Sequence, residues 1–475
     1  MTEGLESKIA QTNFKARYKW FFLAAVLLCE IAHMYNLQAI YTIQVPIQER
    51  YHLDEIQFSR IITFESIPGL AVPLSAGLLA DKYGSSLIFA IGLIMNYLGQ
   101  FITTYSSHIA NYWVLIAGRV LLVSGLNTMT VSKNKMFKNW FNNKEIAKAL
   151  STCSLIDYTA IILCDIGYPN IYEQYDSLFV AFMVGSVFIA STAIFGIIQV
   201  FLNAKLLRFG NIENPQGVPP SEKSIRNFPR IYWLLITCCV TGFLSYYGTK
   251  IYSAKFFQIT FHFTVGEAGI MLAVAMAASG GFAMLTGYLL DRFGKVSMGV
   301  IIACLVIITG VSGNLIFPHC FRCVMAVAPL VVLSIGGSIV QLCNTVGVLR
   351  LIKAQSLGVA LSFYSLIQAF LMMLYPMLGG YISEKTISDS GYFWVFLMNL
   401  GFGIVAVTLA LVLFVVDKKG DKKLSMVPPV SVRGSYAILP DGGNQLVNEI
   451  SADPSTDPNL LQSQLLVNDV VTSAE

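Results

Sequence analysis

The chain has 475 residues, of which 55% are hydrophobic and 12% charged, where a soluble domain carries about 25% charged residues. So few charges cannot coat a surface for water, which excludes secreted disulfide scaffolds, nucleic-acid modules and most cytosolic enzymes. The formal net charge of +4 is too small to imply a polyanionic partner such as a nucleic acid.

In chain order, residues 1–18 are polar and have no apolar core of a cleavable leader, so they are read as a cytosolic N-terminus. Runs of about 20 apolar residues, the length that crosses hydrocarbon, then fall near 19–42, 57–80, 86–106, 111–137, 145–168 and 176–203. Six more fall near 231–258, 266–290, 297–317, 323–349, 357–382 and 390–416. The expectation is an all-α membrane protein of twelve transmembrane helices in two six-helix bundles, 19–203 and 231–416. The stretch 204–230, with NPQGVPPSEKS, reads as a cytosolic linker, and the polar stretch 417–475 as a disordered cytosolic tail.

Lysine and arginine set the orientation. With the N-terminus in the cytosol, that side collects Lys82, Lys138, Lys144, Lys205, Arg208, Arg292, Lys295, Arg350, Lys353 and the tail lysines. The other side keeps Arg50, Arg60, Arg322 and Lys385, and no Asn-x-Ser/Thr acceptor occurs anywhere. Seven cysteines sit in apolar runs as small hydrophobes. Cys320 and Cys323, with His319, flank a connecting loop, and one such pair is too little for a zinc site. No metal and no cofactor is expected.

Two segments repeat in equivalent places, one after the second run and one after the eighth. They are Gly77-Leu-Leu-Ala-Asp81-Lys82-Tyr-Gly84 and Gly287-Tyr-Leu-Leu-Asp291-Arg292-Phe-Gly294. Glycine at the helix end permits close packing, the aspartate can pair with a basic group, and the final glycine allows φ > 0. Both segments resemble the loop motif of the major facilitator superfamily, and Arg119 through Gly125 resembles its intramembrane-arginine motif. Arg119 can equally snorkel to the interface. The antiporter GxxxGP pattern is absent, with only Gly167-Tyr-Pro169 in that region. The resemblance implies two bundles rocking about a midplane cavity, with the paired motifs as a gate. No nucleophile elbow, HExxH or GxxxxGK[ST] occurs, so neither an enzyme nor an ATP-driven pump is expected.

Within that superfamily, the stretch Arg119–Asp157 with Asn134, Trp140-Phe141 and Lys144-Glu145 resembles the lysosomal dipeptide uniporter family, as do Ser356–Gln368 and Lys255-Phe-Phe. That family holds peptide termini with a glutamate in span four and an arginine in span five. The matching positions here are Asn127 and Tyr158, with Asp157 adjacent, so the charged clamp is missing from those places.

Ionisable groups within spans are costly and therefore functional candidates. Glu30, His33 and Asn36 share one face of the first span, Glu65 lies in the second, and Asp157 and Asp165 in the fifth; Lys250 and Lys255 lie in the seventh. Neutral candidates are Asn127, Tyr158, Gln341, Asn344 and Gln368. Each has a plainer reading: Glu30 can pair with Lys250, Glu65 and Lys255 can reach water at the lumenal ends, and Gln341 and Asn344 can bond between helices. His33 is either a cavity group that titrates in an acid lumen or a satisfied core histidine. All five histidines, including His52, His108, His262 and His319, fall in the membrane or on the non-cytosolic side.

The tail carries Tyr436-Ala-Ile-Leu439 and Asp457-Pro-Asn-Leu460-Leu461, forms that sorting adaptors bind. These features point to an endolysosomal carrier of a small organic solute, short peptides or amino-acid-like compounds by resemblance. The alternatives are a carrier of monocarboxylates, a transport-dead sensor or scaffold, and a plasma-membrane location. The missing glycan acceptor, together with the resemblance, implies a glycosylated accessory membrane subunit.

Overall fold

Hydrocarbon offers no partner to a free amide or carbonyl, so a chain of this composition must close its backbone hydrogen bonds within each segment. The computed structural model describes residues 2–141, 143–210, 228–317, 321–352, 354–390, 392–420 and 424. Among these the regular structure is helical, with no strand.

The first span is Thr2–Thr42, followed by the short helix Gln44–Tyr51. The second span is two helices, Glu55–Ser66 and Pro68–Tyr83, divided where Pro68 lacks an amide hydrogen to continue the first. The third to fifth are Ser85–Ile109, Tyr112–Trp140 and Asn143–Tyr175, and the sixth is Leu178–Ser191 with Ala193–Gly210. The seventh to twelfth are Arg230–Phe261, Val265–Phe293, Val296–Ile316, Val327–Leu351, Ala354–Ser390 and Phe393–Lys419. Among the described residues, eleven of these are long and apolar enough to cross a membrane. The fifth, 33 residues long, carries Asp157 and Asp165 in its length and is the more polar exception. Helices outrun the apolar runs: the first starts at Thr2 and the fifth continues to Tyr175, because helical bonding does not stop where the hydrocarbon does.

The repeat seen in two sequence segments extends through the scaffold. The second and eighth spans both begin with a reciprocal capping box, Asp54 with Gln57 and Thr264 with Glu267, which satisfies amides that a helix start leaves open. Both motif loops turn on a left-handed glycine, Gly84 at φ 91° and Gly294 at φ 70°, a conformation that a side chain strains. The third and fourth spans meet backbone to backbone: a Cβ on Gly99 would lie 2.3 Å from the Leu122 nitrogen, and one on Gly125 2.4 Å from that of Asn96. The ninth and tenth spans do the same, with a Gly310 Cβ falling 2.6 Å from the Leu333 nitrogen. Such close approach replaces a hydrophobic driving force that lipid cannot supply between helices.

The two halves meet chiefly near the lysine-poor end. The Lys255 ammonium contacts the Glu55 carboxylate and lies 2.6 Å from Gln48 Oε1. The Glu55 amide donates to Glu384 at 2.8 Å, the Gly266 amide to Glu173 at 2.7 Å, and the hydroxyls of Ser59 and Tyr252 are 3.3 Å apart. At the lysine-rich end the motif residues bond within their own halves. Lys135 holds Asp81 at 2.5 Å and the Gly77 carbonyl at 2.6 Å, and Arg350 holds the carbonyls of Gly294 and Leu290. Among the described residues the polar contacts between halves gather at the lysine-poor end.

Candidate functional site

Charges in the membrane interior are retained only where they are paired or used. Most here are paired, within the N-terminal half or, for Lys255 and Glu55, across the two halves. Arg119 is fully buried; its Nε donates to Glu65 at 2.8 Å, and its two terminal nitrogens donate to the carbonyls of Asn36 and Leu37 at 3.0 and 2.8 Å. Tyr41 completes Glu65 with a 2.6 Å bond to its other oxygen. Arg119 therefore does not snorkel, and Glu65 does not reach water: together they tie the first, second and fourth spans.

Glu30 pairs with Lys133 at 2.6 Å, so the expected Glu30–Lys250 pair is replaced by one within the N-terminal half. Lys133 and Lys135 lie inside the span read as 111–137, yet neither was singled out from the sequence; their depth within that run was the available signal. Lys255 keeps some exposure but is held by Glu55, a residue at the entry of the second span that the sequence reading passed over.

His33 is 1% exposed and faces the third span rather than the centre. Its Nδ1–H donates to Asn96 Oδ1 at 2.6 Å while the Asn96 amide donates to the Leu122 carbonyl, and Nε2 lies 3.1 Å from the Cys29 sulfur. The ring stacks on Tyr97 at 5.6 Å. All its polar atoms are satisfied by neighbours, which corrects the expectation that it lines a cavity beside Glu30. Asn36 is likewise spent on structure: it accepts from the Tyr168 hydroxyl at 2.7 Å and donates to the Ala32 and Gly185 carbonyls.

What remains lies along the seam between halves. Lys250, on the seventh span, has Asp165, Tyr158 and Cys164 of the fifth as electrostatic neighbours. Neither Lys250 nor Asp165 takes part in the six ion pairs among the described residues. Tyr158 is half-buried and packs on Gly280 of the eighth span, where a Cβ would lie 3.6 Å from its ring. Asp157 is half-buried with one oxygen lacking a partner, and its electrostatic neighbours are Glu30 and Lys133. Asn127 and Gln368 are half-buried, and Gln341 is exposed on the helix surface. Asn344 is buried with neither amide atom partnered in the protein, so the interhelical bond expected of it is absent. Among the described residues no cluster could hold a metal ion.

Of the repeated motif, Asp81 and Gly84 are placed as above, and Lys82 lies over the Tyr83 ring at 5.2 Å. Gly77 and Gly287 each face the fourth span of their half, towards Val131 and Leu342. Arg292 donates to the Tyr288 hydroxyl at 3.3 Å, and the Asp291 side chain lies outside what is described. So do Cys320, most of the linker, and the tail positions Tyr436, Leu439, Asp457, Leu460 and Leu461. Cys323 is disulfide-bonded.

The chain is 24% identical over 276 residues to the lysosomal dipeptide transporter MFSD1 of Danio rerio, a match covering 55% of this chain and 59% of that protein. Its fold is shared with a bacterial homolog of the human lysosomal transporter Spinster in an inward-facing, occupied conformation. That structure superposes with a TM-score of 0.64 at 16% identity, over 86% of this chain and 99% of the other. It is shared too with a variant of the nucleoside transporter NupG, with a TM-score of 0.66 at 13% identity over 83% and 100%. The family model of the Major Facilitator Superfamily matches residues 26–376; with the repeated loops and the long apolar helices already in view, this chain belongs to that superfamily and is a membrane transporter, not an enzyme.

Proposed function

We propose that the protein is an alternating-access carrier of a small organic solute bearing a carboxylate, with short peptides or amino-acid-like compounds preferred, at an endolysosomal membrane. The observation that carries this reading is Lys250, a cation on the seam between halves that rock against each other, outside every ion pair among the described residues. An anionic group of the solute supplies the direct contact that its electrostatic neighbour Asp165 does not make. The likeness to a lysosomal dipeptide transporter supports the peptide preference. Because Lys250 needs only a carboxylate, a monocarboxylate carrier is the second reading.

With the lysine-rich side cytosolic, the contacts between halves at the other end form the lumenal gate. The disulfide at Cys323, in the loop after the ninth span, suits an oxidising lumenal side. Opening requires separation of Lys255 from Glu55, and Asp81 and Asp291 of the repeated loops set the balance between states. The tail motifs at Tyr436 and Leu460 recruit sorting adaptors, and a glycosylated membrane subunit shields lumenal loops that have no glycan acceptor of their own.

Counterflow of labelled dipeptide against labelled lactate in proteoliposomes tests the substrate. Peptide exchange through wild type supports the first reading, lactate exchange alone the second, and exchange of neither opposes both.

A further inference from the structure

Asp165 is the interior acid that the pairs above leave over on the seam. It is 0% exposed. One oxygen is fully engaged from the first span, accepting from the Thr42 hydroxyl at 2.6 Å and the Gln38 amide at 3.1 Å. The other oxygen is buried and has no hydrogen-bond partner in the protein. Lys250 is the charge that acts on it, from the opposite half, yet the two do not touch as an ion pair.

We propose that Asp165 and Lys250 form a split site for a zwitterion, in which the free Asp165 oxygen takes the solute's ammonium and Lys250 takes its carboxylate. This rests on the carrier reading above and names the residues that supply it. Three physical points lead there. A buried carboxylate with one oxygen open and a half-buried ammonium outside any ion pair are each costly to keep away from water, so two such groups on one seam without touching call for an occupant between them. The occupant must bear both charges, since a simple carboxylate answers Lys250 alone and a neutral solute answers neither. The two groups sit on spans of different halves, so the gap between them changes as the halves rock and can close on the solute.

The close neighbours do not compete for this role. Asp157 looks to Glu30 and Lys133 within its own half, and Arg119 is saturated by Glu65 and two carbonyls. Around Asp165, Thr42 and Gln38 hold the engaged oxygen, and Gly269 of the eighth span packs so tightly that a Cβ there would lie 2.1 Å from the Asp165 carbonyl. The carboxylate is thereby held in one place, as a recognition group must be.

The test uses the full chain in proteoliposomes, with counterflow of labelled alanyl-alanine. Its competitors are N-acetyl-alanyl-alanine, which lacks the ammonium, and alanyl-alanine amide, which lacks the carboxylate. On wild type both blocked peptides should compete at least about tenfold more weakly than the parent, the scale of one charge-assisted bond. In Asp165→Asn, which keeps the shape and can keep the Thr42 bond, the KM for alanyl-alanine should rise about tenfold while the N-acetyl peptide competes as on wild type. In Lys250→Gln the KM should rise similarly and the amide should keep its wild-type potency; Asp165→Glu should recover part of the loss. Equal weakening of all three peptides by Asp165→Asn would make the residue a structural element and overturn the proposal, as would no change at all. If Asp165→Asn does not fold, the Lys250→Gln pattern decides alone. Failure of wild type to exchange any of the peptides would instead overturn the peptide-carrier reading on which the proposal rests.

Discussion

In the N-terminal half, Asn36 of the first span and Gly185 of the sixth enclose the hydroxyl of Tyr168 from the fifth, which bonds Asn36 at 2.7 Å. In the C-terminal half, Gly248 of the seventh span and Asn399 of the twelfth enclose the hydroxyl of Tyr375 from the eleventh, which bonds Asn399 at 2.7 Å. The asparagine and the glycine have traded helices, but the knot is the same. Likewise Asn203 ties the sixth span to Ser85 and Ser86, while Asp417 ties the twelfth to Ser297. The interior charges follow another rule. The N-terminal half buries Glu30–Lys133 and Glu65–Arg119, whereas the interior of the C-terminal half is lined by Cys238, Cys239, Cys304 and Cys343 and sends Lys250 and Lys255 to the seam. Among the described residues the scaffolding is duplicated and the buried ion pairs are not, and the unduplicated groups on the seam are the ones proposed to meet the solute.

The largest effect should come from breaking that asymmetry at its most buried pair. Arg119→Ala leaves Glu65 charged and buried, which costs about 3–5 kcal/mol; thermal unfolding in detergent should show a collapse of the folded population. Tyr375→Phe, which removes one hydrogen bond of the duplicated knot, should cost about 1 kcal/mol and leave the protein folded. Comparable losses in the two variants would erase the distinction drawn here.

Next in size is a pair of matched substitutions in the duplicated seams. Gly99→Ala and Gly310→Ala each push a methyl into the backbone of a neighbouring helix, an overpacking worth about 1–3 kcal/mol. Both should lower the unfolding temperature by similar amounts, and a loss confined to one half would show that the seams are not equivalent.

Lys255→Met sharpens the comparison at the seal. Removing the ammonium leaves Glu55 buried without its cation and weakens the lumenal closure, so turnover should fall several-fold while the KM for a dipeptide stays near wild type. Asp81→Asn, which loses the Lys135 bond at the opposite end, should act in the same sense and more weakly, because that pair is partly exposed and exposed pairs contribute about 0–1 kcal/mol. Unchanged turnover in both would remove them from gating.

The smallest effect is expected at His33. With Nδ1 committed to Asn96 and Nε2 against Cys29, His33→Gln should leave the dependence of transport on lumenal pH unaltered while lowering stability by about 1 kcal/mol. A flattened pH profile would return this histidine to the transport path.

What the sequence makes legible follows the same division. Span length and the two GxxxD-type loops were readable because hydrocarbon thickness and a left-handed turn constrain residues close in sequence. The ion pairs were not, since Glu30 and Lys133 are 103 residues apart and Arg119 and Glu65 are 54 apart. Sequence spacing marks which side chains share a helix face; it does not say which helix that face meets. His33 was drawn to Glu30 by a shared face, whereas the helix packing gave Glu30 to Lys133 and His33 to Asn96. Asp165 was legible as a costly residue, but the oxygen it leaves open became visible only once Thr42 and Gln38 were in place around the other.

Lys250 is the cation proposed to meet the solute's carboxylate. Counterflow of labelled alanyl-alanine through wild type, Lys250→Gln and Lys250→Arg, each reconstituted at matched protein density, tests this most directly. The account predicts exchange by wild type, a KM raised about tenfold in Lys250→Gln, and partial recovery in Lys250→Arg. Wild-type KM and turnover in Lys250→Gln would contradict it.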